Sequence, residues 1–286
     1  MVTVERLSLA ALRFSVDASF AIAPLTAEQI RDRAPKIVLK SETLDYRTML
    51  PERGGLFDPR LFGAGTVIDA PLPDPEAPLR PRKTEVTRIP LALPIVHPLL
   101  RQHAREAAAA LIGRDLTFPS RLEDERQLIA ALTASPDGAG FVLHDLPVLP
   151  PDLRPLQRDH EDRWTTTPLN RWYQRILARN QRLAKLVETH AEVAQLDPEY
   201  ADLSLLIHRL FENDELADGE RDAEGGLLPS VRSLCGGTEA LERAARDLAV
   251  HPEGVPVSGR LYVARVVLFV LGFEVHGTAG SISSSR

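Results

Sequence analysis

The stretch TTTPLNRWYQRILARNQRLAKLV, residues 165–187, decides how the rest of the chain is read. Thr167-Pro168 predicts a helix start. The threonine oxygen can accept an orphan N–H of the first turn, and proline at the first helical position has no N–H to lose. Beyond it Leu169, Trp172, Ile176, Leu183, Leu186 and His190 fall on a and d heptad positions, with Arg179 the polar exception at d. Asp197-Pro198 repeats the start signal, and EYADLSLLIHRLFEN, 199–213, then puts Leu203, Leu206, Ile207 and Leu210 on one face. Two amphipathic helices joined through 191–196 predict an antiparallel helical hairpin.

Immediately upstream, LPVLPPDLRPL, 146–156, holds four prolines in eleven residues. Each proline fixes φ and biases its predecessor toward extended backbone, so this strap sets the direction in which the hairpin leaves. Farther upstream, LTAEQIRDRA predicts a short helix capped by Thr26, with Glu28 and Gln29 following, and SETLDYRTMLPERGGLFDPRLFG reads as extended and turn-rich. Residues 64–83 carry five prolines and little apolar matter and read as a loop. PLLRQHAREAAAALIGR, 98–114, is helical on alanine propensity, and a second helix should cover 122–133. Pro-Asp-Gly at 136–138 should turn the chain into the strand GFVLHDLPVL.

Composition bounds function. A chain of 286 residues with 44% apolar and 26% charged residues is ordinary globular material, enough for one large or two modest domains. A net charge of −6 argues against a surface built wholly for nucleic acid, so any such contact must be local. One cysteine, Cys235, excludes an internal disulfide and a Cys-rich zinc site, and fits a reducing compartment. Glu5, Arg13 and Asp17 break the apolar core that a signal peptide requires, and LYVARVVLFVLGF, 261–273, is too short to span a bilayer and carries Arg265. The expected location is the cytoplasm, with no membrane contact.

The residues also carry a resemblance. LPVLPPDLRPL followed by the hairpin helix resembles the strap, lid and clamp-helix region of the bacterial RNA polymerase β′ subunit. Leu169, Asn170, Tyr173, Arg175, Ile176, Leu177, Arg179, Asn180, Arg182 and Leu183 match its clamp-helix pattern without gaps. Tyr46 to Gly63 resembles the family's N-terminal Tyr-Arg-Thr to Leu-Phe block, and TRIPLALPIVHPLL, 87–100, a weakened form of its Leu-Ala-x-Pro segment. Three blocks in the family's order, over about residues 23 to 213, imply an α+β, mostly helical, clamp-like fold with a projecting hairpin. The implied organisation is a clamp-like base over 1–156, a lid-like loop and hairpin over 157–213, an acidic linker over 214–226 and a C-terminal subdomain over 227–286.

Departures from the family narrow the expectation. The four cysteines of the family's zinc site are missing. Glu161-Asp162 stand where the lid carries a Gly-Gly pair. In the second helix Glu199 survives, while Asp197, Pro198, Ala201, Asp202 and Ser204 replace most of the family's sigma-facing patch. The catalytic Asn-Ala-Asp-Phe-Asp-Gly-Asp run is absent. Its nearest imitation, Asp218-Gly-Glu220-Arg-Asp222, lies in the acidic linker, and a calcium loop fails there because Ala223 and Pro229 occupy the required glycine and glutamate positions. VSGRLYV, 257–263, resembles a Ser-Gly-Arg element beyond the clamp.

Arg171, Arg175, Arg179 and Arg182 step by four, four and three residues and form one basic stripe. The resemblance implies that this stripe docks an acidic helical partner such as a sigma factor, with Asn180 and Glu199 setting register. The competing reading is internal pairing with Glu199, Asp202 or Glu212. The resemblance adds the strap and lid residues Pro150, Pro151, Asp152, Arg154 and Arg163. No catalytic residue, metal or cofactor is expected. His97 and His208 read as structural, Cys235 as a small apolar residue, Trp172 as hairpin packing, and Gly236-Gly237 as too short for a phosphate loop. The resulting expectation is a transcription-associated protein that docks a sigma factor or RNA polymerase subunit and meets DNA only within an assembly. The alternatives are a split β′ fragment that joins a separate catalytic chain, and a relic fold with no partner.

Overall fold

The computed structural model describes residues 20–277 apart from 46, 49, 64–84, 113–120, 159–163 and 252–256. The Pro-rich loop, Arg163 and the Glu161-Asp162 lid positions lie outside the described residues. In chain order the elements are β1 (Phe20–Pro24), α1 (Ala27–Arg33), β2 (Leu44–Asp45), β3 (Leu50–Pro51), α2 (Pro59–Phe62), β4 (Thr87–Val96), α3 (Arg101–Ile112) and α4 (Arg121–Thr133). They continue as β5 (Val142–Val148), β6 (Leu156–Arg158), β7 (Trp164–Thr166), α5 (Pro168–Glu188), α6 (Val193–Glu212), α7 (Thr238–Ala249), α8 (Gly259–Val270) and β8 (Phe273–Gly277). The architecture is α+β and mostly helical, and its sheets are two-stranded antiparallel ribbons. No helix among the described residues is long and apolar enough to cross a membrane.

The α1 cap forms as its residues predict. Gln29 donates its N–H to Thr26 Oγ1 and its carboxamide oxygen accepts from the Thr26 N–H, a reciprocal capping box. The α5 start differs. Thr167 stands at the N-cap, but its hydroxyl accepts from Asn170 Nδ2 at 3.1 Å instead of from a backbone N–H. The second start signal is also read differently by the fold. α6 begins at Val193, so Pro198 lies inside it, and the turn between the hairpin helices is shorter than 191–196. Both Pro198 and Ala194 are exposed, so water can serve the carbonyl that proline leaves without an N–H partner. Asp197 caps a different helix: its Oδ1 accepts from the Leu122 N–H at 2.7 Å, in the first turn of α4, where the helix dipole favours a carboxylate.

The hairpin is seated along the base. α5 packs on β4 and α6 on α4. Leu169, Trp172, Ile176 and Leu183 are buried as the heptad predicts, but Tyr173, Leu177 and Asn180 are buried too, because α5 covers β4 as well as α6. His190 leaves the seam altogether: it is exposed at φ 52°, in the turn at the hairpin tip. One large apolar cluster runs from Ile22 through Leu146, Ile176 and Leu210 to Phe273, and a small second one joins Leu25, Ile30, Ala34 and Phe269. β1 pairs with β8 in the register Phe20↔Gly277 to Pro24↔Phe273, which ties the two ends of the described chain together.

Candidate partner-docking groove

The strap works from inside the molecule. Pro150, Pro151, Asp152 and Arg154 are all buried. Arg154 donates from Nε to the Leu149 carbonyl (2.7 Å), from Nη1 to Asn170 Oδ1 (2.8 Å) and from Nη2 to the Leu56 carbonyl (2.7 Å). Its guanidinium lies over the rings of Phe57, Phe62 and Tyr173 at 5.0, 5.1 and 5.6 Å. Burial lowers its pKa to about 10, so it remains charged at neutral pH. Asn170 returns a bond from Nδ2 to the Arg154 carbonyl at 2.9 Å, and Tyr173 accepts from the Leu149 N–H at 3.1 Å. Asp152 faces the Tyr262 hydroxyl at 3.5 Å. These contacts fasten the Leu-Phe block, the strap and the root of the hairpin to each other, and put the four strap residues beyond a partner's reach.

Asn180 is likewise turned inward. Its Nδ2 donates to the Pro90 carbonyl (2.9 Å) and its Oδ1 accepts from the Ala92 N–H (2.8 Å). It fills the register shift between Pro90 and Ile95 in β4, where the strand stops pairing with β5. Its expected place in a partner-facing patch is therefore replaced by a place in the base, since a carboxamide is the side chain that satisfies a free N–H and C=O together.

The outer face of the hairpin holds a groove of about 280 Å³ between α5 and α6. Arg175, Arg179 and Arg182 line one wall, and Asp202, Leu206 and Arg209 the other. Arg175 contacts both Glu220 carboxylate oxygens, at 2.8 and 2.9 Å, and stacks over Trp172 at 5.0 Å. Arg209 reaches the same carboxylate at 3.2 Å. Arg179 pairs with Glu199 at 2.6 Å and Asp202 at 3.2 Å. Arg182, 64% exposed, makes among the described residues a single 3.4 Å ion pair, with Glu199. Burial acts to raise the Glu199 carboxyl, but its bonds and charge contacts with Arg179 and Arg182 hold it below its ordinary value. Arg171 is exposed on the same helix but is not among the groove-lining residues.

Internal pairing therefore takes up much of the stripe. Glu199 and Asp202 serve it, whereas Glu212 turns to His208 and the buried Arg232, each at 2.7 Å. The carboxylate that the sequence reading left out is Glu220. Its segment is no free tether, because Asn213 is fully buried and grips the Glu220 backbone from both sides: Nδ2 to the carbonyl at 2.9 Å, and Oδ1 from the N–H at 2.7 Å. Arg209 was missed as well. Its place one residue before the apolar position Leu210 was the available signal, but the pairing with Glu220 depends on a turn that periodicity does not describe.

Other candidate chemistry is absorbed by structure. Burial pushes the Cys235 thiol up to about 12, so it is no ready nucleophile. Asp222 closes its own turn by accepting from the N–H groups of Glu224 (3.1 Å) and Gly226 (2.7 Å). His97 is fully buried, bonded through Nε2 to the Leu271 carbonyl at 2.8 Å. Among the described residues no group of three or more His, Cys, Asp and Glu side chains could hold a metal ion.

Fold and geometry define the class: an α+β, mostly helical protein whose central feature is an antiparallel helical hairpin, seated on a β-ribbon and grooved by arginines. Comparison with known proteins relates part of this chain to RNA polymerase. It is 29% identical over 141 residues to the DNA-directed RNA polymerase subunit β′ of Treponema denticola, covering 49% of this chain and 10% of that protein. Against the subunit β′ of Thermotoga maritima identity is 37% over 130 residues, 43% of this chain and 8% of that one. Against that of Bifidobacterium adolescentis it is 33% over 110 residues, 38% of this chain and 8% of that one. The chain thus contains a β′-related region and spans about a tenth or less of the length of the curated relatives it matches. No family model matches the chain.

Proposed function

We propose that this chain is a cytoplasmic, transcription-associated binding protein that docks a sigma factor, or another polymerase-associated protein, through its hairpin groove and has no catalysis of its own. The observation that supports it most is the groove itself. Four guanidiniums face three carboxylates there, and three of the four stand on α5, whose residues match the β′ clamp-helix pattern. The relatives are named as subunits of a DNA-directed RNA polymerase, which sets the context. An acidic side chain entering the groove exchanges with Glu199 or Glu220. A half-exposed pair such as Arg175–Glu220 contributes only ~0–1 kcal/mol, so exchange costs least there, while the more covered Arg179–Glu199 pair resists it more. Half-covered Leu205 and buried Leu206 give the groove an apolar floor that a helical partner can cover. Arg182 has the most spare capacity and Arg179 the least, which moves the weight of docking toward the exposed end of the stripe.

The test is binding of the purified chain to purified sigma factors and to polymerase core from its host, at moderate salt. The double variant Arg179→Gln/Arg182→Gln should weaken sigma binding about tenfold or more while circular dichroism and melting stay close to wild type. Glutamine is preferred to glutamate there, since a new carboxylate would repel Glu199 and Asp202 within the folded protein. Sigma binding that the double variant leaves intact, or no sigma binding at all, overturns the reading. Stoichiometric capture of core subunits would instead favour the split β′ fragment, with nucleotidyl transfer belonging to the assembly.

A further inference from the structure

A second concavity lies on the side of the molecule formed by α1, α7, α8 and β8, and the hairpin residues take no part in it. It encloses about 290 Å³ and is half open to solvent. Leu248, Val266, Phe269 and Phe273 supply an apolar wall, and all four are nearly fully buried. Arg265 lines the same cavity, half-buried on α8. Among the described residues it has no ion-pair or hydrogen-bond partner. Among the described residues the one carboxylate in the lining, Glu274, is already engaged. Its Oε1 accepts from Gln29 at 3.0 Å and meets His276 Nε2 at 3.0 Å, and its Oε2 pairs with Arg33 at 2.5 Å. A guanidinium held against apolar walls, beside a carboxylate that is spoken for, leaves the described lining with uncompensated positive charge in a setting of reduced dielectric.

We propose that this cavity binds a small amphipathic organic anion: a monocarboxylate or sulfonate head on Arg265, with an aryl or short alkyl body against Phe269 and Phe273. The volume encloses roughly a dozen non-hydrogen atoms, at the low end of small-molecule pockets, and because the cavity is open on one side a larger ligand can leave part of its body in solvent. The head gains a charge-assisted, two-pronged contact with the guanidinium, and the body removes apolar wall from water. This site is independent of the groove on the hairpin, and its failure would leave the docking proposal untouched.

The experiment uses the full chain and 8-anilinonaphthalene-1-sulfonate as fluorescent probe, with octanoate and 1-octanol as competitors. One saturable site is expected, displaced by octanoate and much less by 1-octanol. Arg265→Gln should weaken probe binding about tenfold, the size of a lost charged hydrogen bond; Arg265→Lys, which keeps the charge but not the fork, should recover only part of it. Shift perturbations in an amide spectrum of the wild-type protein with octanoate should centre on residues 265–275, a readout that does not depend on any variant folding. Equal affinity in wild type and Arg265→Gln, equal displacement by 1-octanol, or perturbations centred elsewhere would each overturn the proposal.

Discussion

At the scale of single residues, Arg154 shows how a side chain can be visible in a motif while its work stays hidden. Strap prolines are readable as stiffness, but nothing local says that the arginine between Leu153 and Pro155 points into the core, or that its acceptors lie at Leu56, Leu149 and Asn170. Contacts between residues 98 positions apart have no periodic signature. Arg154→Met should destabilise the protein by about 3–5 kcal/mol, because it strips three buried acceptors of their donor. Arg154→Lys should recover little, since an ammonium cannot match a planar three-way fork. Urea unfolding checks both. His97, by contrast, was legible as structural, though its titration was not. Burial lowers its pKa to about 4, against the upward pull of its bond to the Leu271 carbonyl and of the Glu212 charge. The unfolded chain takes up this proton near pH 6.5, whereas the folded one does so only near 4. Stability from this group is therefore complete above pH 6.5 and is lost as pH falls through that window, by on the order of 3 kcal/mol. His97→Gln should flatten the stability profile between pH 6.5 and 4 relative to wild type, and parallel profiles would refute the assignment.

At the scale of elements, most helices and the β5 strand fall where alanine content, caps and turn residues place them. Two of the errors share one cause, a tertiary contact that claims the side chain: Asp197 goes to α4 and Asn180 to the register shift in β4. At Thr167 the competitor is local, the carboxamide of Asn170 three residues on in the same helix. The basic stripe was legible as a stripe, but its groove needed α6 and the Glu220 turn beside it. Asp197 offers a clean test, since local reading makes it the cap of its own helix and the structure makes it the cap of another. Asp197→Ala should cost about 1 kcal/mol, the usual worth of an N-cap. Hydrogen exchange should then speed up in the first turn of α4, near Leu122, with amides of α6 beyond Glu199 unchanged. Faster exchange confined to α6 would restore the local reading.

At the scale of the whole molecule, one large apolar cluster reaches from the base through the hairpin to the C-terminal helices, and this governs how the groove is presented. Trp172 lies at the junction: buried at the root of α5, it donates from Nε1 to the Pro229 carbonyl at 3.1 Å, linking the hairpin to the segment that precedes α7. Below it Arg154 ties the hairpin to the strap, and beyond it Arg232 bonds Glu212 and Glu215 at 2.7 Å each, fastening the end of α6 to the C-terminal helices. β1 and β8 close the opposite side. A hairpin held by so many buried polar links cannot swing as an independent arm; under the docking proposal Arg175 and Arg179 are already ordered by their carboxylates, and the exposed Arg182 is the one a partner would have to order. Cooperative melting follows from the same connectivity. Tryptophan fluorescence, which includes the Trp172 junction, and far-ultraviolet circular dichroism, which averages all helices, should give coincident thermal transitions with one midpoint. Arg154→Met should lower both midpoints together. If the fluorescence transition came first and left most helicity intact, the hairpin root would be a separate unit, and the preformed groove on which docking depends would have to be replaced by one that forms on binding.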